Sequence, residues 1–444
     1  TAPDSDDAVP AVALTIDDAG NVGIGTAVPG SYYSIARNLV IGGGTANIGL
    51  TLASNNSSSG EANIAFSDAA DGTAEGRIEY KFASGADTMS FMTNAAIQFK
   101  LDANSRISLS NNDLGGTGGA NSSGVSNNTV FGNLAGTSIA SGGVDNTNIG
   151  YRAHQHNNTG RQNTVIGSYA IGNLASGSNA QDSDNNTAIG FNSMGGAWAN
   201  VKSEENVAIG AYTMTAIMNA TSNNTAVGYS AGSVVTGASN TMIGSNAAGL
   251  LLGGTENIVL GRNAMDAMAG DTGAGDEVNN GHRNIAIGVD AMGAVNAGGH
   301  DTATTNDNIA IGNDALLGAS FSAANLNLVG NIAIGSQALD ATAANAQTGT
   351  IAIGHQALTA LTSGSGNLAI GYTAMATNKL GNYNMAIGYG AMDLSYIDDT
   401  QDALTIENVF IGLHSGGGDW ANNASIANVG LGAYTLDAIM DGAK

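Results

Sequence analysis

Sixteen times between residues 128 and 436 the chain returns to one short pattern, Asn-x-x-Ile-Gly-x-x-Ala, and few folds can accommodate a repeat of that kind. Aligned on its glycine, the pattern falls at Gly132, Gly150, Gly167, Gly190, Gly210, Gly228, Gly244, Gly261, Gly288, Gly312, Gly335, Gly354, Gly371, Gly388, Gly412 and Gly432. Neighbouring glycines are 16 to 27 residues apart, so a fixed motif alternates with a connection of variable length. A unit this short cannot enclose an apolar interior alone. Units of that size fold by stacking, each supplying walls to the next, with insertions gathered on one face. The fold predicted is all-β: an elongated β-solenoid or β-roll of about sixteen coils.

Position by position, the pattern suggests a cross-section. Four residues before the glycine stands Asn, at Asn146, Asn163, Asn186, Asn206, Asn224, Asn240, Asn284, Asn308, Asn331, Asn367, Asn384 and Asn408, and also at Asn128, Asn257 and Asn428. Thr350 is the exception. Stacked Asn side chains can pass hydrogen bonds from one amide to the next along the axis, so this column is expected to form a structural ladder. Immediately before the glycine is a large apolar residue, including Ile149, Ile189, Ile209, Ile287, Ile311, Ile334, Ile353, Ile370, Ile387 and Ile411, and this column is assigned to the core. Two residues earlier lies Thr in the first units and an aliphatic residue in the later ones. On a strand it points the same way, hence inward too. The intervening position, Ala in nine units, is then placed on the outer face, where so small a residue hints at an approaching neighbour. Three residues after the glycine only Ala, Ser or Thr occurs, often followed by Met or Leu. That segment is expected to close the second side of the coil as a strand, with one helical turn as the open alternative.

Ahead of the repeats the pattern changes. Residues 1–20 are read as an N-terminal arm, 21–110 as a β-rich domain, 111–127 as a Gly/Asn/Ser-rich junction and 128–444 as the solenoid. Alternation in Arg77-Ile78-Glu79-Tyr80-Lys81-Phe82 and in Ile97-Gln98-Phe99-Lys100-Leu101 predicts strands with one wet face. Asn21-Val22-Gly23-Ile24-Gly25 repeats the solenoid motif, and Asn47-Ile48-Gly49-Leu50 is a weaker copy.

Composition narrows the function classes. Sixty-five glycines and 5% aromatic residues imply a thin interior. Twelve basic against 36 acidic residues give a net charge of −24, which opposes nucleic acid and anionic lipid. No apolar run is long enough to span a bilayer as a helix. The absence of cysteine excludes a disulfide framework and thiolate metal sites. A first residue of Thr rather than Met fits an exported product that has lost its leader.

The Asn-Thr-Ala-Ile-Gly and Asn-Ile-Ala-Ile-Gly units resemble the head repeats of trimeric autotransporter adhesins and the repeats of bacteriophage tail fibres. The segments around Gly20–Thr26, Gly76–Tyr80 and Phe91–Asn94 are similar to phage fibre proteins that carry an intramolecular chaperone. These units are longer and less regular than adhesin head repeats. The resemblance implies an extracellular, cell-surface or virion fibre that assembles as a homotrimer.

Candidate chemistry is sparse. His154 and His156 would project to one side of a strand and could hold a metal with a third ligand, against the plainer reading of a polar loop contact. Asp271–Glu277 and Asp17–Asp18 are oxygen-rich enough for Ca²⁺ but match neither an EF-hand nor the Ca²⁺-binding nonapeptide, so no cofactor is assigned. Trp198 and Trp420, in long connections, are candidates for contact with a cell-surface glycan or receptor, against local packing over the loop. No catalytic constellation stands out, and an enzyme is not expected. An ice- or crystal-binding Thr array is disfavoured because the Thr column gives way to Ile and Leu after Thr241 and is placed facing inward. The leading expectation is a non-catalytic structural shaft that presents variable loops for adhesion. The alternative is an exported bacterial or archaeal surface-filament subunit that polymerises end to end through its arm.

Overall fold

The computed structural model describes residues 14–16, 22–24, 39–41, 60–67, 74–82, 88–93, 96–102, 107–108, 128–137, 139, 142–155, 159–172, 183–196, 202–215, 221–267, 281–295, 304–318, 327–341, 347–393, 405–418 and 425–437. These residues are all-β, with no helix among them. The chain divides into two compact units, Thr1–Ile107 and Ser108–Lys444.

In the first unit β1 (Thr15–Ile16) pairs antiparallel with β2 (Val22–Ile24), which pairs parallel with β3 (Leu39–Ile41). A second sheet runs β4 (Gly60–Ser67), β5 (Ala74–Phe82), β6 (Thr88–Thr93), β7 (Ala96–Asp102) and β8 (Ile107–Ser108) in sequence order, its first four strands paired antiparallel. The strands predicted at Arg77–Phe82 and Ile97–Leu101 lie in β5 and β7. The covering of their faces differs from the expectation. Glu79, Ser90 and Met92 are buried, with Glu79 held 2.9 Å from Arg77, whereas Ile64, Tyr80, Met89 and Phe91 are exposed. The exposed face of this sheet is therefore the apolar one. The weaker motif copy at Asn47–Leu50, the 111–127 junction and all of the arm except residues 14–16, which hold β1, lie outside the described residues.

The second unit is a β-solenoid. One sheet contains sixteen three-residue strands in unbroken order from Thr129–Phe131 to Val429–Leu431. Every neighbouring pair is parallel and in register, so Thr187, Ala188 and Ile189 face Val207, Ala208 and Ile209. The same alignment carries Ile285–Ile287 onto Ile309–Ile311. Stacked at the ordinary ~4.8 Å, such a sheet is about 70 Å long in its hydrogen-bonding direction.

The core lies on the face opposite to the one assigned from the sequence. The middle residue of each strand points inward: Ala188, Ala208, Ala226, Ala286, Ala310, Ala333, Ala352, Ala369 and Ala386 are all at 0% exposure. The column of Ile149, Ile189, Ile209, Ile287, Ile311, Ile334, Ile353, Ile370, Ile387 and Ile411 points outward, half-buried to exposed, and is not the interior. Its partner column of Thr, Val, Ile, Leu and Met three residues before the glycine points outward with it. The small residue between them is not under a neighbour's backbone but under its own coil.

The physical reason is the narrowness of the coil. Opposite each Ala stands the second side, whose third and fourth residues after the glycine also point in, as with Ala291 and Met292 or Ala315 and Leu316. In many coils Ala on one wall and Met or Leu on the other fill the gap. In two coils a large strand residue meets a glycine, Val130 facing Gly136 and Phe410 facing Gly416, whereas Val165 with Ile171 and Val259 with Met265 put a large residue on both walls. Met242 packs over Gly232 of the preceding coil. At these glycines a bulky neighbour fills the space that a side chain on the opposite wall would take.

The second side is neither the expected strand nor a helical turn. Its second and fourth residues after the glycine adopt left-handed backbone, as in Tyr212 (φ 58°) and Met214 (φ 49°) or Asp290 (φ 55°) and Met292 (φ 53°). Alternation of this kind aims successive peptide groups up and down the stack. Tyr212 N–H donates to Phe191 O in the coil before (3.0 Å), and Met214 N–H donates to Ala231 O in the coil after (3.1 Å). Non-glycine residues seldom adopt this conformation and cost about 1–2 kcal/mol each there. Repetition of coil-to-coil bonds offsets that cost.

The glycine at the corner has two reasons to be invariant. Its φ is near +136°, a region L-residues avoid, and a Cβ there would run into the next glycine's carbonyl. A Cβ on Gly150 would lie 2.6 Å from Gly167 O.

Candidate functional site

Three continuous columns line the solenoid, and each is a candidate for what the protein does. Inside runs the Asn ladder. Asn146 donates to Asn128 Oδ1 twice, from its backbone N–H (2.8 Å) and from Nδ2 (3.1 Å). Asn163 repeats both bonds to Asn146 (2.9 and 3.0 Å). The second Nδ2 proton goes to a backbone carbonyl of the following coil, Gly160 O for Asn146 and Ser183 O for Asn163. The chain of bonds continues through Asn186, Asn206, Asn224, Asn240, Asn257, Asn284, Asn308 and Asn331. Thr350 keeps the backbone bond of the ladder, donating its N–H to Asn331 Oδ1 (2.9 Å), but its hydroxyl has no partner. The ladder resumes through Asn367, Asn384, Asn408 and Asn428.

The carbonyls that receive Nδ2 expose a column the repeat reading missed. They belong to the residue seven before the corner glycine: Gly160, Ser183, Ser203, Thr221, Gly237, Gly254, Gly281, Thr305, Leu328, Gln347, Gly381, Thr405 and Ser425. The end of each connection is therefore a third wall. In places it forms short parallel sheets, as where Thr304–Asn306, Asn327–Val329 and Gln347–Thr348 pair. A recurrent Gly, Ser or Thr at this offset was the available signal.

Outside runs the apolar face. From Ile258–Leu260 to Val429–Leu431 nine consecutive rungs carry an aliphatic residue or Met in both outward positions. Ile209 and Ile243, nearer the amino-terminal end, are 37% and 41% exposed. There the companion column is Thr147, Thr164, Thr187, Val207, Thr225 and Thr241, which faces outward and not inward.

The third column follows the corner glycine by one or two residues. Tyr151, Tyr169, Phe191, Tyr212 and Tyr229 form an edge-to-face series with centroids 5.3, 6.3, 5.3 and 5.8 Å apart. His355, Tyr372, Tyr389, His414 and Tyr434 form another at 5.2, 5.1, 5.4 and 5.7 Å. Arg152 lies over Tyr151 and Tyr169, 5.3 and 5.7 Å from their centroids.

The residues singled out for chemistry fare as follows. His154 is fully buried in the second coil, its Nδ1 donating to Asn148 Oδ1 at 2.7 Å. Burial pushes its pKa down to about 3, so the ring is neutral. His156, Trp198, Trp420, Asp17–Asp18 and Asp271–Glu277 lie outside the described residues. Among the described residues no group of three or more His, Asp or Glu is placed to hold a metal ion, and no helix is long and apolar enough to cross a membrane. No protein-family model, curated protein or solved structure matches the chain.

Proposed function

We propose that the chain is a non-catalytic extracellular fibre subunit, of a phage or cell surface, whose solenoid counts sixteen coils and presents its variable connections for adhesion. Copies meet through the aliphatic face, most simply as a parallel homotrimer. The observation that carries this reading is the nine-rung double column of outward aliphatic side chains. A flat stripe of that length and continuity is more than a monomer ordinarily leaves in water. Eighteen partly exposed side chains amount to on the order of 800 Å² per copy, the scale of one side of a standard protein interface. Parallel strands of one sheet also give every copy the same stripe, so a rotationally symmetric assembly brings like against like.

The test is molar mass by light scattering on the full chain and on a variant with Ile285, Ile287, Ile309 and Ile311 changed to Ser. The reading expects three times 43.9 kDa for the parent. It expects a smaller mass for the variant, with the β-sheet circular dichroism retained. A parent that stays at the mass of one chain at micromolar concentration contradicts it.

A second reading, end-to-end polymerisation, draws on the two terminal strands. Among the described residues, Thr129–Phe131 and Val429–Leu431 are each paired along one edge only. Open parallel edges invite a further strand. Electron micrographs of the purified chain decide it: filaments longer than about 70 Å multiples of one sheet support polymerisation, and discrete short particles oppose it.

A further inference from the structure

The aromatic corner column has a composition that internal stacking does not account for. Rings buried against one another would gain stability by hiding their faces, yet Tyr229, Tyr389 and Tyr434 remain 56%, 52% and 58% exposed. The stretch of the same column between the two aromatic series is also ordered. Asn246 donates to Asn263 (3.4 Å), Asn263 donates to Asp290 (3.0 Å), and Gln356 donates to Gln337 (3.0 Å). One corner of the solenoid therefore carries aromatic rings, then planar amides and a carboxylate, then aromatic rings, with Gln356 and His355 in the same coil where the amides give way to rings.

We propose that this corner binds a linear, uncharged polysaccharide lying along the solenoid axis, with sugar rings on the Tyr series and hydroxyls on the amide and carboxylate groups. Pyranose rings pair an apolar C–H face with a rim of hydroxyls, which is the complement of a Tyr ring beside Asn, Gln and Asp. A repeating ligand suits a repeating platform, because within each aromatic series an added sugar meets another ring one coil further on. The net charge of −24 sets the class: a polyanionic glycan, like a nucleic acid, would be repelled. A row of rings pre-ordered by their neighbours also loses little freedom on binding. This site is distinct from the variable loops and from the aliphatic face, and it does not depend on the trimer.

The experiment is titration calorimetry on the full chain with three neutral hexasaccharides, cellohexaose, chitohexaose and maltohexaose. It is repeated on Tyr372→Leu/Tyr389→Leu, which keeps apolar bulk but removes two adjacent rings. The expected result is binding of at least one hexasaccharide, weakened tenfold or more in the variant, with the thermal midpoint and the light-scattering mass of the variant unchanged. No binding by any of the three, or equal binding by the variant, overturns the proposal. A variant that loses both binding and mass overturns it too, since the column would then be a contact between copies. A parent chain of monomeric mass that still binds would sink the trimer and leave this site standing.

Discussion

Asn148 and His154 share a 2.7 Å hydrogen bond in the interior of the second coil, on the two walls that Ala and Met or Leu occupy in most later coils. Because Asn148 Oδ1 can only accept, the proton sits on His154 Nδ1. Asn148 Nδ2 and His154 Nε2 are buried and make no hydrogen bond. The pair fills the coil by volume but leaves two polar atoms unsatisfied.

Replacing both residues by the pattern of the other coils, Asn148→Ala with His154→Met, should therefore stabilise the solenoid by about 1–3 kcal/mol, whereas His154→Met alone should destabilise it. Chemical denaturation of the three proteins measures this. The native pair should also make stability depend on pH. The folded state holds His154 near pKa 3, below its ordinary 6.5, so the unfolded chain binds the extra proton. This contribution is intact above about pH 6.5 and is lost progressively as pH falls toward 3, a loss on the order of a few kcal/mol when complete. The double variant should lack that slope.

Corner glycines and turn glycines should respond differently. Gly150→Ala places a Cβ against Gly167 O at a φ near +132° and should cost roughly 2–5 kcal/mol. Gly330 has φ +68° and nothing within 4 Å of its would-be Cβ, and Asn185 and Asn223 hold the equivalent place in other coils. Gly330→Asn should change stability by less than about 1 kcal/mol. Thermal unfolding of the two variants compares them directly.

The break in the Asn ladder is repairable. Thr350→Asn would give Asn367 an amide oxygen to receive its backbone N–H and Nδ2, and would let residue 350 donate a second bond to Asn331 Oδ1. Stability should rise by about 1–2 kcal/mol. Conversely, Asn206→Ala removes bonds to Asn186 Oδ1 (3.0 Å) and Thr221 O (2.8 Å) and strands the donors of Asn224, for a loss of roughly 2–4 kcal/mol. Denaturant midpoints at constant m-value test both.

Exchange of volume between the walls predicts a coupled pair. A Cβ on Gly416 would meet Phe410 Cδ1 at 2.6 Å, so Gly416→Met should be strongly destabilising in the parent. Combined with Phe410→Ala it recreates the arrangement of Ala386 with Met392, and a double-mutant cycle should show coupling of about 1–3 kcal/mol.

The stacking, the corner glycine and the Asn column were legible in the sequence because each demands one residue type whichever way the coil is wound. Which side of the strand is inside was not legible from hydrophobicity. Ile is more apolar than Ala, and the usual rule sends Ile189 in and Ala188 out. The rule fails because the narrow coil takes a small residue on the strand wall in most units, and because the outward Ile face is itself a surface. The pairing of Val130 with Gly136 and of Phe410 with Gly416 was not legible as a rule, since Val165 and Val259 at the same strand position face Ile171 and Met265. The left-handed residues were not legible either, since Tyr212 and Met214 have no propensity for that backbone and adopt it where coil-to-coil bonds hold them.

The measurement that goes most directly to the centre of this account uses the absence of native cysteine. Single cysteines at Ala286 and Ile287, adjacent on one strand, are exposed to a thiol reagent and to mild oxidant in the folded protein. The account predicts that Ala286→Cys stays inert until the chain unfolds, while Ile287→Cys either labels at once or cross-links to a second copy. An inert position 287 beside a reactive position 286 would contradict it.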